Sequence, residues 1–354
     1  MGTILKYLNK PLFSFTKYNW VTYLFIPVFL VIILRNGINF IGYDFYGIEW
    51  ARKWPEPASV YSVENSGDLI LAKLFSTYTR ASWMVLHLLL TVLFFLLTFF
   101  FCSFERASIK QKQTLFLLIL ASPLSMLLLQ EIGWHDVITI IGALILAFGK
   151  NTPSRLLGIL IMCTGNTPQA MVASLLFGFL VNIFEFRNQI INFRIFLPFI
   201  FSIIFWIFQR FWLGSTGREG EILEPSFWLY SVKGFLVASP LFLYALLGPL
   251  WVIAPNVWAK LRILPKERAL LILTILLLIP CIIGIITTDS SRDSLCVMSP
   301  LLFWFLRRMV IEQQLILRQT QKIALILMPC FLVYREGQII PPWSILERVF
   351  FDIR

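Results

Sequence analysis

The chain has 354 residues, 58% hydrophobic and 16% aromatic, with only 14% charged and a formal net charge of +11. Soluble domains carry about 25% charged residues, so an ordinary soluble enzyme, a disordered chain and a disulfide scaffold are excluded. Five Cys without a CxxC pair point to neither disulfides nor zinc.

The apolar runs are continuous rather than alternating, which predicts an all-α polytopic bundle and not a barrel. In chain order, spans are expected at 20–40, 82–104, 114–130, 195–213, 232–254 and 269–287. Each is close to the ~20 residues a bilayer needs. Shorter apolar pieces lie at 137–149, 156–164, 170–184, 295–306 and 323–334. If all of them cross, the bundle has about 10–11 spans. The first span starts late, is long and lacks a small-residue cleavage site, so it reads as an anchor and not a signal peptide. Residues 1–334 form the transmembrane domain, with an outer loop at 41–81 after the first span. Residues 335–354 form an amphipathic tail, expected on the outer membrane surface.

The charges orient this bundle. With a cytoplasmic N-terminus, roughly 18 of the 30 Lys and Arg fall on the inner side, against about 4 of the 19 Asp and Glu. The basic residues are divided among many short loops rather than gathered on one face, so nucleic acid is not an expected partner. Glu105, Glu185, Glu267 and Glu312 sit beside Lys or Arg and read as solvated pairs.

The remaining acids form four outer clusters. The first runs from Asp44 and Glu49 to Glu56, Glu64 and Asp68. The second is Glu131 to Asp136, the third Arg218 to Glu224, and the fourth Asp289 to Asp293. Glu56, Glu64, Asp68, Glu221 and Glu224 read as ordinary outer-loop polarity, and Trp54-Pro55-Glu56-Pro57 as a surface turn. The second and fourth clusters lie in very short links, where an ionisable group faces a cavity or a partner. Asp136 reads equally as a helix cap or as a site carboxylate. Asp289, Arg292 and Asp293 read equally as a helix-holding ion-pair network or as a site. Asp44 stands among Gly42, Tyr43, Phe45, Tyr46, Gly47 and Trp50, an aromatic setting suited to a sugar. A carboxylate near apolar groups gains basicity, which suits a general base. His87, inside a span, reads as hydrogen-bonded to a neighbouring helix.

No P-loop, GxSxG, HExxH, kinase or Rossmann pattern occurs. Two His exclude a multi-histidine metal centre. What stands out is an order of features. A first span is followed by an outer loop with an acid near the membrane. Gly133-Trp134-His135-Asp136 then heads a span, and Lys150 to Arg155 makes a short basic turn. A polar break, Thr164-Gly165-Asn166-Thr167-Pro168-Gln169-Ala170, comes next, and Asp289-Ser-Ser-Arg292 precedes a late span. This layout, from about residue 20 to 306, resembles the GT-C superfamily of membrane glycosyltransferases.

The resemblance implies a polyprenyl-phosphate-linked sugar donor, a glycan or protein acceptor and an inner-membrane location. It implies Asp44 as catalytic carboxylate, with Glu49 as a second candidate. His135, Asp136, Gln169 and Asp289 would bind substrate, and Arg218 or Arg292 would pair with phosphate oxygens. A divalent cation such as magnesium or manganese is the cofactor the resemblance allows. The chain departs from the family in having no paired acids after span one and no large C-terminal soluble domain. A non-enzymatic carrier or flippase of lipid-linked glycans, or a structural subunit of a membrane complex, are the other readings of the same features.

Overall fold

The computed structural model describes residues 26–40, 45–57, 60–185, 192–216, 241–287, 290–333 and 339–340. They open with α1 (Ile26–Asn36) and three short helices, α2 (Phe45–Lys53), α3 (Val60–Glu64) and α4 (Ser66–Phe75). Then come α5 (Arg80–Phe104), α6 (Ile109–Ala121), α7 (Pro123–Gln130), α8 (Asp136–Phe148) and α9 (Thr152–Glu185). The rest is α10 (Phe193–Ser215), α11 (Leu241–Leu261), α12 (Lys266–Gly284), α13 (Ser290–Ile311) and α14 (Gln319–Leu327). An antiparallel ribbon of β1 (Leu332–Val333) and β2 (Ile339–Ile340) is the one sheet among the described residues.

The architecture is helical and that of a multi-pass membrane protein. Among the described residues, α5 and α9 to α13 make six helices long and apolar enough to cross a bilayer. The pair α6 and α7, bent by 49°, makes a seventh if it is one broken span. Residues 295–306 are the middle of α13, because its polar start at Arg292 and Asp293 is helical. The piece at 323–334 is not one helix: α14 has nine residues, and the chain then extends into β1, where the Val333 N–H donates to the Ser291 hydroxyl at the start of α13 at 2.7 Å. The 334/335 boundary falls between two paired strands, and residues 341–354 of the proposed tail lie outside the described residues.

Local chemistry sets the helix ends. Thr79 accepts from the Ser82 amide and Ser82 returns a bond to Thr79, a capping box that starts α5. Ser108 and Gln111 do the same for α6. Pro123 at the first turn of α7 restarts the helix after Ser122, which produces the bend.

The break in α9 is sharper than its unbroken helical run implies. Asn166 has extended backbone angles (φ −164°, ψ 105°), and Pro168 follows. Arg155 and Phe177 would stand ~33 Å apart along a straight helix. Instead the Arg155 guanidinium lies 5.9 Å from the Phe177 ring centre. The two halves of α9 therefore run back along each other, and the polar segment 164–170 is their turn.

The first half of α9 packs on α8 at backbone contact. A Cβ on Gly142 would lie 2.5 Å from the Met162 amide nitrogen and 2.6 Å from the Gly158 carbonyl. Close approach of this kind is the usual way helices associate in lipid, where small residues replace a hydrophobic drive. α13, the most deeply buried of the six, packs on α6, α8, α9 and α12. Its far end carries Arg307, whose Nε and Nη2 donate to the two Glu105 oxygens at 2.8 and 3.1 Å. Lys150 stands 3.9 Å from the same carboxylate. Glu105 is thus buried in a forked pair, not solvated as its neighbours in sequence suggested. Glu312, by contrast, meets Arg308 at 3.0 Å at a half-open surface.

Candidate functional site

The opposite end of α13 carries Arg292, and there the polar groups converge. The expected outer loop is not a loop. It folds into α2, α3 and α4, which bury Ile48, Ala51, Leu69 and Ala72 against Trp83 and Leu86 of α5. Gly47 permits this approach, since a Cβ there would sit 3.0 Å from the Trp83 ring. Gln209 of α10 donates to the Val63 carbonyl at 2.8 Å, and Arg210 pairs with Glu64. Burial raises the Glu64 carboxyl above its ordinary range, and the Arg210 charge opposes it. The segment from α2 to α4 therefore caps this end of the bundle.

Beneath the cap lies a cavity of about 170 Å³. Its walls include Trp50, Trp83 and Trp134, and its polar groups include Asp68, His135 and Arg292. Trp134 and His135 come from the link between α7 and α8. That link turns at Gly133, whose φ of 118° suits a residue without a side chain. The Gly133 carbonyl accepts from the Trp83 indole at 3.0 Å. On its other side the link joins the end of α1: Ile132 N–H donates to the Asn39 carbonyl at 3.2 Å.

Asp136 is not the cap of α8. His135 holds the cap position and no side chain caps it. The Asp136 carboxylate instead accepts from Arg292 Nε at 2.6 Å and, more weakly, from Nη2 at 3.4 Å. The Cys296 thiol donates to it at 3.4 Å, and His135 Nε2 stands 3.9 Å away. The Arg292 guanidinium also lies over the Trp134 ring, 4.6 Å from its centre, a cation–π position. Burial pushes the His135 imidazole below its ordinary range, against the opposing pull of Asp136. Next to Arg292, Asp293 accepts from the Gln169 amide at 2.8 Å, which ties the turn of α9 to α13.

A second pair backs the cavity. His87 is fully buried in α5, and its Nδ1 lies 3.0 Å from the Trp83 carbonyl. A carbonyl only accepts, so Nδ1 carries the proton and Nε2 is left with its lone pair. Nε2 has no hydrogen-bond partner among the described residues and faces Asp68 Oδ2 at 3.7 Å. Asp68 Oδ1 accepts from the Leu69 amide at 2.8 Å. Asp68 is buried, not an exposed loop acid, and both histidines of the chain reach this one site.

Of the site residues expected from sequence, His135, Asp136, Gln169 and Arg292 thus fall in one connected polar cluster. Glu49 does not join it: its exposed carboxylate pairs with Lys53 at 2.6 Å, which holds it below the usual carboxylate range. Asp44, Arg218 and Asp289 lie outside the described residues. Asp68 and His87 were passed over by the sequence reading. The signal for His87 was an ionisable side chain within an apolar span, which by default marks a site.

Among the described residues, no three His, Cys, Asp or Glu side chains converge as metal ligands. No family model, curated protein or solved structure matches this chain.

Proposed function

We propose that this chain is a GT-C-like membrane glycosyltransferase. In this reading it transfers a sugar from a polyprenyl-phosphate-linked donor to a glycan or protein acceptor on the extracytoplasmic face. It sits in the inner membrane with a cytoplasmic N-terminus. The observation that carries the reading is the cavity where three tryptophans meet Asp68, His135 and Arg292. An aromatic wall suits the apolar side of a sugar ring, carboxylate and imidazole take hydroxyls, and a guanidinium matches phosphate oxygens. The orientation is supported by the basic residues Lys110, Lys112, Lys150, Arg307, Arg308 and Lys322, which lie towards the other end.

The roles follow from position. Asp68 takes the proton of the acceptor hydroxyl, and the lone pair of His87 Nε2 faces the carboxylic acid so formed. The acceptor oxygen attacks the anomeric carbon. The bond from that carbon to the phosphate oxygen breaks, and the electron pair leaves with the polyprenyl phosphate. Arg292, aimed by Asp136, stabilises the leaving phosphate. Asp68 takes the part that sequence pattern gave to Asp44 or Glu49, because it lines the cavity and Glu49 faces solvent.

Sugar transfer from a polyprenyl-phosphate donor by the purified chain tests this directly. Asp68→Asn is expected to slow transfer about 10²- to 10⁴-fold, the usual contribution of a positioned base. Glu49→Gln should run at the wild-type rate. Equal rates for Asp68→Asn and wild type would refute the assignment. Donor movement across vesicles without transfer, unaffected by Asp68→Asn, would turn the reading towards a carrier.

A further inference from the structure

A second polar basin lies at the other end of the bundle, between the start of α6, the turn after α13 and α14. Its volume is about 420 Å³. Lys110 and Lys322 line it with Ser108, Gln111, Thr114 and Gln314, and no carboxylate is among its described walls. The nearby Glu312 is engaged by Arg308 at 3.0 Å. The walls are fixed in advance. Gln111 Nε2 donates to the Val310 carbonyl at 3.1 Å, while its Oε1 accepts from the Ser108 amide and hydroxyl at 3.0 and 2.9 Å. Asn256 of α11 donates to the Ile316 carbonyl at 3.1 Å. Burial, and then the charge of Lys110, push the Lys322 ammonium below its ordinary range. An anion in the basin would relieve both effects.

Apolar side chains stand exposed around the same basin: Ile316 is 79% exposed and Ile109 42%. Aliphatic groups beside lysines are suited to a surface that is acyl chain on one side and headgroup on the other.

We propose that this basin binds the phosphate of an anionic lipid headgroup, with its acyl chains against Ile109 and Ile316. The site is separate from the aromatic cavity and stands whether or not glycosyl transfer is the activity there.

The full chain in detergent is titrated with phosphatidylglycerol, with phosphatidylcholine of the same acyl chains, and with glycerophosphate. Bound ligand is counted by native mass spectrometry. Phosphatidylglycerol should be preferred. Lys110→Gln with Lys322→Gln should weaken it about thirtyfold, and Lys110→Gln alone about fivefold, as expected for lysines at an anionic surface. The double Lys→Arg variant should bind as wild type does. Arg262→Gln with Lys266→Gln, an exposed pair between α11 and α12, should also leave binding unchanged. Should the double Gln variant fail to fold, the exposed Lys110→Gln still reads the site. Equal loss in the Arg262/Lys266 pair would show diffuse surface charge and overturn the proposal. So would unchanged binding in Lys110→Gln. Glycerophosphate binding as tightly as phosphatidylglycerol would make the ligand a soluble phosphate and overturn the lipid assignment.

Discussion

Replacing Asp136 by Ala is expected to cost the folded protein about 3–5 kcal/mol, because it strips a buried guanidinium of its carboxylate. Both groups are almost wholly inaccessible: Asp136 is 1% exposed and Arg292 4%. Cys296 would lose its acceptor as well. The double variant Asp136→Leu with Arg292→Met behaves differently. A buried ion pair exchanged for apolar side chains of similar size is often neutral or stabilising. Thermal unfolding in detergent should therefore show Asp136→Ala well below wild type and the double variant near it. Transfer activity separates the two roles: the double variant, though folded, should be inactive, since it lacks the phosphate-facing guanidinium. A double variant as unstable as Asp136→Ala would show that the pair is not the unit that matters.

The second large effect lies at the seam of α8 and α9. Gly142→Leu should abolish most recovery of monodisperse protein. Overpacking a core costs about 1–3 kcal/mol when side chains can yield. Here the new atoms would meet the backbone of Gly158 and Met162, so the helices themselves must part. Parting them would shift Asp136, at the head of α8, away from Arg292 on α13. Val172→Leu, on an exposed stretch of α9, should leave recovery unchanged. Size-exclusion profiles of the two variants decide it, and a normal Gly142→Leu profile would mean the seam is looser than its geometry.

Much of the fold was legible because apolar run length and charge placement act locally. The helical class, the long spans at α5 and α10 and the polar break in α9 all follow from such signals. What escaped depends on contacts distant in sequence. Nothing near Asp68 indicates that α4 buries it, since its partner His87 belongs to another helix. Asp136 had the composition of a cap, and only α13 arriving from residue 292 gives its carboxylate a different use. The link around Gly133 stands out because ionisable groups in so short a link between apolar runs face a cavity or a partner. Glu49 is a second candidate only by resemblance, and one helical turn along its own helix Lys53 draws it outwards. Arg292 falls within a helical run, whereas Asn166 is the non-helical break at which α9 turns back.

The two ion pairs on α13 have a dynamic consequence. Arg292 and Arg307 lie ~22 Å apart along the helix and are each clamped by a carboxylate from a different element. A slip of this helix by one turn, ~5.4 Å, would break both clamps at once and leave four charges stranded in low dielectric. α13 therefore behaves as a fixed axle. Any opening of the cavity must swing the α2–α4 cap or its lighter neighbours around that axle, while the axle itself keeps its height in the membrane.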